Sequence, residues 1–308
     1  MINNWLTYLQ LLLKGENRTL ARCISLIENE AKGYEQLLQL LPANDKPIIG
    51  ITGPPGAGKS TVADALIGEM VMQDKKVAVL CIDPSSPFNR GAFLGDRIRM
   101  SEWYNNPGVF IRSFATRGSL GGLHSKIIEI TELVKAAPFD YIIVETVGVG
   151  QSEVEIAGIA DCTVVTLVPE AGDMIQTMKA GLLEIADIFV VNKSDRVDAD
   201  VIYRHLRTMC HERAGNDSET PVLKTISSTG EGVQELADKI REILNNRDER
   251  HNKQQHLLLQ KAWHLIQELR MNNVSRTDLA EQLKGEMDKK DFNIYSFAKH
   301  IALAGRSE

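Results

Sequence analysis

Eight consecutive residues, Gly53-Pro54-Pro55-Gly56-Ala57-Gly58-Lys59-Ser60, limit what this chain can fold into more than any other stretch. They fit the phosphate-loop pattern G-x-x-x-x-G-K-[ST] with no departure. The apolar run before them, residues 47–52, reads as a buried strand, and residues 61–67 after them read as a helix. Three glycines let successive backbone N–H groups turn toward one point, and the start of the helix adds the positive end of its dipole. Lys59 supplies a point charge for the outer phosphates, and the Ser60 hydroxyl is a ligand for Mg2+. The pattern therefore implies a nucleoside triphosphate cradled by residues 53–60, with Thr61 joining them at the first helical turn.

A chain of 308 residues is large for one core, which favours a main domain with appendages. The net charge of −6 argues against a general nucleic-acid binder. Cys23, Cys81, Cys162 and Cys210 lie far apart with no C-x-x-C pair, and two of them sit in apolar, strand-like runs where buried thiols are expected. The start of the chain lacks the charged and apolar regions of an export signal, and no apolar run approaches ~18 residues. The expected setting is cytoplasmic, with no membrane and no nucleic acid as partner.

The chain opens with helices. Residues 5–13 form an apolar helical run stopped by Lys14-Gly15, residues 18–29 carry Leu20, Ile24 and Ile27 at helical spacing, and residues 34–41 end at Pro42. These make an N-terminal helical extension, residues 1–45, that braces or covers the main domain. From Lys46 strands and helices alternate, with strands read at 76–82, 109–113, 141–144, 163–167, 188–191 and 222–226. Alternation of this kind predicts an α/β fold, a doubly wound, mostly parallel sheet covered on both faces, over residues 46–247. In such sheets ligands sit beyond the carboxyl ends of the strands, where each candidate below falls.

The run at 188–191 delivers Asn192-Lys193-Ser194-Asp195, an N-K-x-D tetrad. A carboxylate at Asp195 accepts both hydrogen bonds from the N1–H and exocyclic amine of guanine, whereas adenine leaves it unpaired. The Lys193 stem can lie along the purine face, and Asn192 can tie this loop to the phosphate loop. Ser227, Ser228 and Thr229 stand where such domains contact the base by backbone. At Glu145-Thr146-Val147-Gly148, Gly148 suits a backbone N–H approaching the γ-phosphate. Glu145 either holds a magnesium-bound water or orients the attacking one. Asp83 and Asp96 are further carboxylates for the metal, and Gln151 is a candidate for positioning water. Magnesium in such sites keeps several waters, so not every carboxylate need be a direct ligand.

At this point the residues resemble a family. The phosphate loop, Asp83-Pro84-Ser85-Ser86-Pro87, Leu94-Gly95-Asp96-Arg97-Ile98-Arg99-Met100 and Glu145-Thr146-Val147-Gly148-Val149-Gly150-Gln151-Ser152-Glu153 look like the MeaB/ArgK-type GTPases, SIMIBI-class P-loop proteins. Asp173-Met174-Ile175-Gln176-Thr177-Met178-Lys179-Ala180-Gly181 extends the likeness, which covers residues 15–245. The resemblance implies a homodimeric GTPase that uses Mg2+ and acts as chaperone to an adenosylcobalamin-dependent acyl-CoA mutase, typically methylmalonyl-CoA mutase. It also implies cofactor loading and protection as the task, with turnover stimulated by the mutase. Switch segments would fall at residues 83–99, 147–153 and 169–181. The third departs from the family's Gly-Gly-Gly-Asp-Asp-like run, reading Glu170-Ala171-Gly172-Asp173-Met174, while Lys179 matches a family lysine.

Residues 248–308 form a helical arm on this reading. The polar run 245–253 contains no Gly or Pro and predicts a continuous exposed helix. Leu258, Ala262, Leu265 and Leu269 follow as an apolar stripe, suited to a partner subunit or to the chain's own N-terminal helices. Residues 275–283 and 292–303 read as two closing helices. Two other functions share the phosphate loop: a metallochaperone GTPase of hydrogenase or urease maturation, and a small-molecule kinase. The first calls for Cys/His motifs that the chain lacks, and the second has no need of the guanine-reading tetrad. A binding module without turnover is separated from all of these by kinetics.

Overall fold

The structure, a computed structural model, describes residues 5–83, 100–115, 123–147, 155–171, 181–214, 219–271, 276–286 and 293–304. Residues 1–257 form one compact unit and 258–308 a second.

The first unit begins with three helices, α1 (Trp5–Leu13), α2 (Asn17–Glu28) and α3 (Tyr34–Gln39). Gly15 ends α1 in the left-handed region at φ 82°, and the N–H groups of Gly15 and Glu16 close on the carbonyls of Leu12 and Leu11. This is the glycine stop expected for a helix that turns back. Leu12, Ile24, Ile27 and Leu37 are fully buried.

Seven strands follow among the described residues: β1 (Ile48–Thr52), β2 (Val77–Asp83), β3 (Val109–Ala115), β4 (Tyr141–Glu145), β5 (Cys162–Leu167), β6 (Ile188–Asn192) and β7 (Val222–Thr225). All pair in parallel, in the order β3-β2-β4-β1-β5-β6-β7. Every residue of β1, β2, β5 and β6 is buried, which is why these strands read as unbroken apolar runs rather than alternating ones.

Helices cover both faces. On one, Ile49, Ile51, Val79, Ile143, Val164 and Val190 pack against α4 (Lys59–Met72) and α8 (Val233–Asn245). On the other, Val165, Leu167, Phe189 and Val191 meet α6 (Gly181–Ile185) and α7 (Ala199–Ala214). α5 (Ile127–Ala136) also packs on β4 and receives α2 and α3. The fold is a doubly wound P-loop α/β domain, as the alternation of elements predicts.

The amino ends of the sheet are pinned by a repeated device. Asp140, Asp161 and Asp187 each precede a strand, and each carboxylate accepts an N–H at or just before the start of a neighbouring strand: Lys76 at 2.8 Å, Ile48 at 2.8 Å and Thr163 at 2.7 Å. Each aspartate N–H donates in return to the carbonyl of that same neighbour. Asp161 is buried, so Asp161→Ala leaves an interior N–H without its acceptor and is expected to cost about 2 kcal/mol. A lower denaturant midpoint at unchanged slope would report it, and Asp161→Asn, which keeps an acceptor, should recover most of the loss.

α8 stops at Asn245, and Asn246 is extended at ψ 96° before α9 (Arg247–Met271) begins. The polar run therefore breaks where two adjacent asparagines, whose side chains compete for the backbone, replace helix formers. Within the second unit, α9 continues and α10 (Arg276–Glu286) and α11 (Ile294–Ala304) follow. Leu258, Trp263, Ile266 and Leu269 on α9 are exposed. Among the described residues no helix is long and apolar enough to cross a membrane.

Candidate nucleotide-binding site

The phosphate loop joins β1 to α4 at the centre of the sheet. Two of its glycines are required by close approach. A Cβ on Gly53, at φ 140°, would lie 2.0 Å from the Thr166 carbonyl oxygen, and one on Gly58, at φ 85°, would lie 2.5 Å from Asn192 Nδ2. The loop thus rests on the end of β5, where Ala57 also packs against Val168. Pro54 is buried, while Pro55 and Gly56 form an exposed tip. Lys59 opens α4, and its buried ammonium donates to the carbonyls of Gly53 at 3.0 Å and Pro54 at 3.1 Å. Those bonds hold the charge over the loop that the helix start faces. Thr61 is half-buried one position beyond Ser60.

Ser60 reaches the next candidate directly, its Oγ donating to Glu145 Oε1 at 2.6 Å with both side chains buried. Glu145 ends β4, the strand beside β1, and Thr146 after it shares a 2.9 Å hydrogen bond between hydroxyls with Thr52. Asp83 ends β2, the next strand outward, two residues beyond the register pair of Cys81 and Glu145, and is also buried. A serine hydroxyl and two carboxylates make an all-oxygen donor set, the kind that suits magnesium, which takes one or two carboxylates beside substrate phosphates. Asp96, Gly148, Gln151 and Lys179 lie outside the described residues.

At the other end, Asn192 joins three loops. Its Nδ2 donates to the Ala57 carbonyl at 3.0 Å, while Oδ1 accepts from Thr225 Oγ1 at 3.1 Å, Ser227 N at 3.2 Å and Ser227 Oγ at 2.9 Å. Lys193, in the left-handed region at φ 55°, donates to the Gly56 carbonyl at 2.7 Å. Ser194 N donates to the Thr225 carbonyl at 3.1 Å, which leaves Asp195 exposed beyond it. Ser228 and Thr229 are exposed too, in a turn closed by Thr229 N and Oγ1 on the Ile226 carbonyl. Base loop and phosphate loop are one hydrogen-bonded assembly.

Three contacts at this assembly went unread in the sequence. The buried Thr225 hydroxyl orients the Asn192 amide; its only signal was a threonine closing an apolar strand just before the Ser-Ser-Thr turn. Arg196, directly after the tetrad, pairs with Glu170 beyond β5, and Glu170's own backbone N–H followed by this guanidinium holds its carboxyl below the usual range. Asp64, one turn into α4 past Ser60, accepts from the Trp103 indole at 2.7 Å. Burial still pushes its carboxyl above the usual range against that bond.

Comparison with known proteins agrees with this geometry. The family model described as methylmalonyl-CoA mutase-associated GTPase MeaB matches residues 20–281. A Pyrococcus horikoshii protein named as a GTPase is 48% identical over 239 residues, 75% of each chain. GTPase ArgK of Escherichia coli is 42% identical over 190 residues, 60% of this chain and 57% of that one. The crystal structure of a LAO/AO transport system kinase aligns with a TM-score of 0.69 at 25% identity, covering 99% of both chains. A chain with this loop, this N-K-x-D tetrad and this match across most of its length is a GTPase and belongs to the MeaB family.

Proposed function

We propose that this GTPase is a chaperone for an adenosylcobalamin-dependent acyl-CoA mutase, methylmalonyl-CoA mutase first among them, serving cofactor loading and protection of its client. The observation that carries the reading is the family match over residues 20–281, whose description names the mutase. A mouse mitochondrial relative named for methylmalonic aciduria type A, 34% identical over 75% of this chain and 61% of its own, supports the same client.

On this reading the backbone of residues 53–60 and the Lys59 ammonium hold the phosphates, and Asp195 reads guanine while Lys193 lies along it. Ser60, Glu145 and Asp83 are the residues that would hold Mg2+, which supplies charge neutralisation across the outer phosphate oxygens. Ser60 and Glu145 share a hydrogen bond, which sets their oxygens side by side at the end of β4. Phosphoryl transfer depends on positioning and charge more than on covalent help from the protein, so slow basal turnover awaiting a partner is the expected behaviour. The exposed side chains of Leu258, Trp263, Ile266 and Leu269 support a homodimer formed through the C-terminal arm.

GTP turnover measured alone and with a cobalamin-dependent acyl-CoA mutase from the same organism tests the reading. A rise of about tenfold or more with the mutase is expected, a threshold well below the roughly 10³–10⁵ that a supplied arginine finger contributes to phosphoryl transfer. Turnover indifferent to the mutase would overturn the client assignment while leaving the GTPase.

A further inference from the structure

The N-terminal helices carry a charge pattern that the nucleotide site does not explain. β3 is an edge strand, hydrogen-bonded to β2 alone among the described strands, and its last residue, Ala115, is in register with Asp83. Edge-strand ends are the parts of a sheet most prone to local opening, and this one flanks a candidate metal carboxylate. Two cations mark the ends of the connection that leaves β3 and enters α5. Both face acids from the N-terminal helices. Arg112 on β3 donates to Glu28 at 2.7 Å and to the Ser25 hydroxyl at 3.1 Å, both on α2. Lys126 at the start of α5 pairs with Glu30, just past α2, at 3.3 Å and with the buried Glu129 of its own helix at 3.2 Å, and sits 5.8 Å from the ring centre of Tyr34 on α3.

Between these anchors the same elements interlock. The Arg112 guanidinium lies over Phe114, and Phe114 packs against the buried ring of His124, whose Nδ1 accepts from Lys126 N. Glu28 is only 9% exposed while Arg112 is half-buried, so their pair is partly shielded from water and screened less than a surface pair. The apolar packing of α2 and α3 on α5 would keep the helices in place without these charges. The Arg112–Glu28 pair adds something packing does not: it grips the edge strand itself, while the Lys126–Glu30 pair holds the start of α5.

We propose that α2 and α3 act as a clamp on both ends of the β3–α5 connection, with Arg112 and Lys126 as positioning residues that steady the β2–β3 ends and hence Asp83. The coupling to Asp83 rests on the GTP-hydrolysis reading above. The clamp does not touch the phosphate loop on β1 or the base loop on β6. Its release therefore weakens what Asp83 does in the transition state and leaves nucleotide binding nearly unchanged.

The test is the full-length double variant Glu28→Gln with Glu30→Gln, which keeps the shapes and removes one charge at each anchor. Amide exchange of whichever of Phe114 and Ala115 donates its N–H to β2 should quicken by about tenfold. The kcat for GTP should fall by about fivefold while KM changes by less than about twofold, a split that a general loss of stability would not produce. If the double variant does not fold, Glu28→Gln alone, at the anchor on β3, should show the same two changes at about half the size or more on a logarithmic scale. Unchanged exchange at the end of β3 would overturn the clamp. Quickened exchange with unchanged kcat would overturn its coupling to Asp83. A wild-type protein without GTP turnover would instead defeat the hydrolysis reading, and exchange would still decide the clamp.

Discussion

Lys59→Ala is expected to abolish tight triphosphate binding, lowering GTP affinity by about 10² to 10³. The size follows from where the ammonium sits. It is buried at the start of α4 and is fixed by the carbonyls of Gly53 and Pro54, so it meets the phosphates already desolvated and already aimed. Losing one partner of a buried, hydrogen-bonded charge pair costs about 2–5 kcal/mol, far beyond the median of exposed pairs. The fold should survive, because the backbone of the loop is held by other means: Gly53 against β5, Ala57 on Val168 and the Ala57 carbonyl bonded to Asn192. Titration calorimetry with a non-hydrolysable GTP analogue, alongside a thermal melt of the free protein, separates the two effects. An affinity within threefold of wild type would remove Lys59 from the phosphate site.

The parts of this molecule that were legible in the sequence are those whose cause is local. The phosphate loop announces itself because three glycines, a lysine and a serine must occur at fixed spacing. The strands announce themselves because burial on both faces demands continuous apolar residues. The order of the strands is another matter. That β4 inserts between β2 and β1, bringing Glu145 to Ser60, depends on pairings no single stretch encodes. The tie from Asn192 to the phosphate loop could be anticipated from the tetrad, but its other three hydrogen bonds, to Thr225 and Ser227, join residues more than thirty apart in the chain. Arg112 and Glu28 are separated by 84 residues and look like ordinary surface charges until the fold places them together. The aspartates before β4, β5 and β6 fit no motif in the sequence, and only the sheet shows that their carboxylates satisfy a neighbour. The break at Asn246 was missed for the opposite reason: charge and the lack of Gly or Pro suggested continuity, while two weak helix formers in sequence decided otherwise.

Asp195→Asn is expected to reverse the choice of base more than to weaken the protein. Guanine presents two donors on the edge that Asp195 would meet on the proposed reading, N1–H and the exocyclic amine, and an ionised carboxylate is acceptor only. An asparagine offers one acceptor and one NH2, so it faces the amine donor-to-donor, and GTP affinity should drop by about 10² or more. Xanthine carries a carbonyl where guanine has the amine, which matches the asparagine amide, so xanthosine triphosphate should gain as guanosine triphosphate loses. The substitution leaves the loop standing. Asp195 is exposed at its tip, while the loop is fixed by Asn192 on Ala57, Thr225 and Ser227, by Lys193 on Gly56 and by Ser194 on Thr225. Competition between guanosine and xanthosine triphosphates for the purified variant gives the ratio directly. A reversal by about 10³ in that ratio is the sum expected from losing one matched pair and gaining another. An unchanged preference for guanine would mean that the base is read elsewhere, with the backbone of residues 227–229 as the remaining candidate.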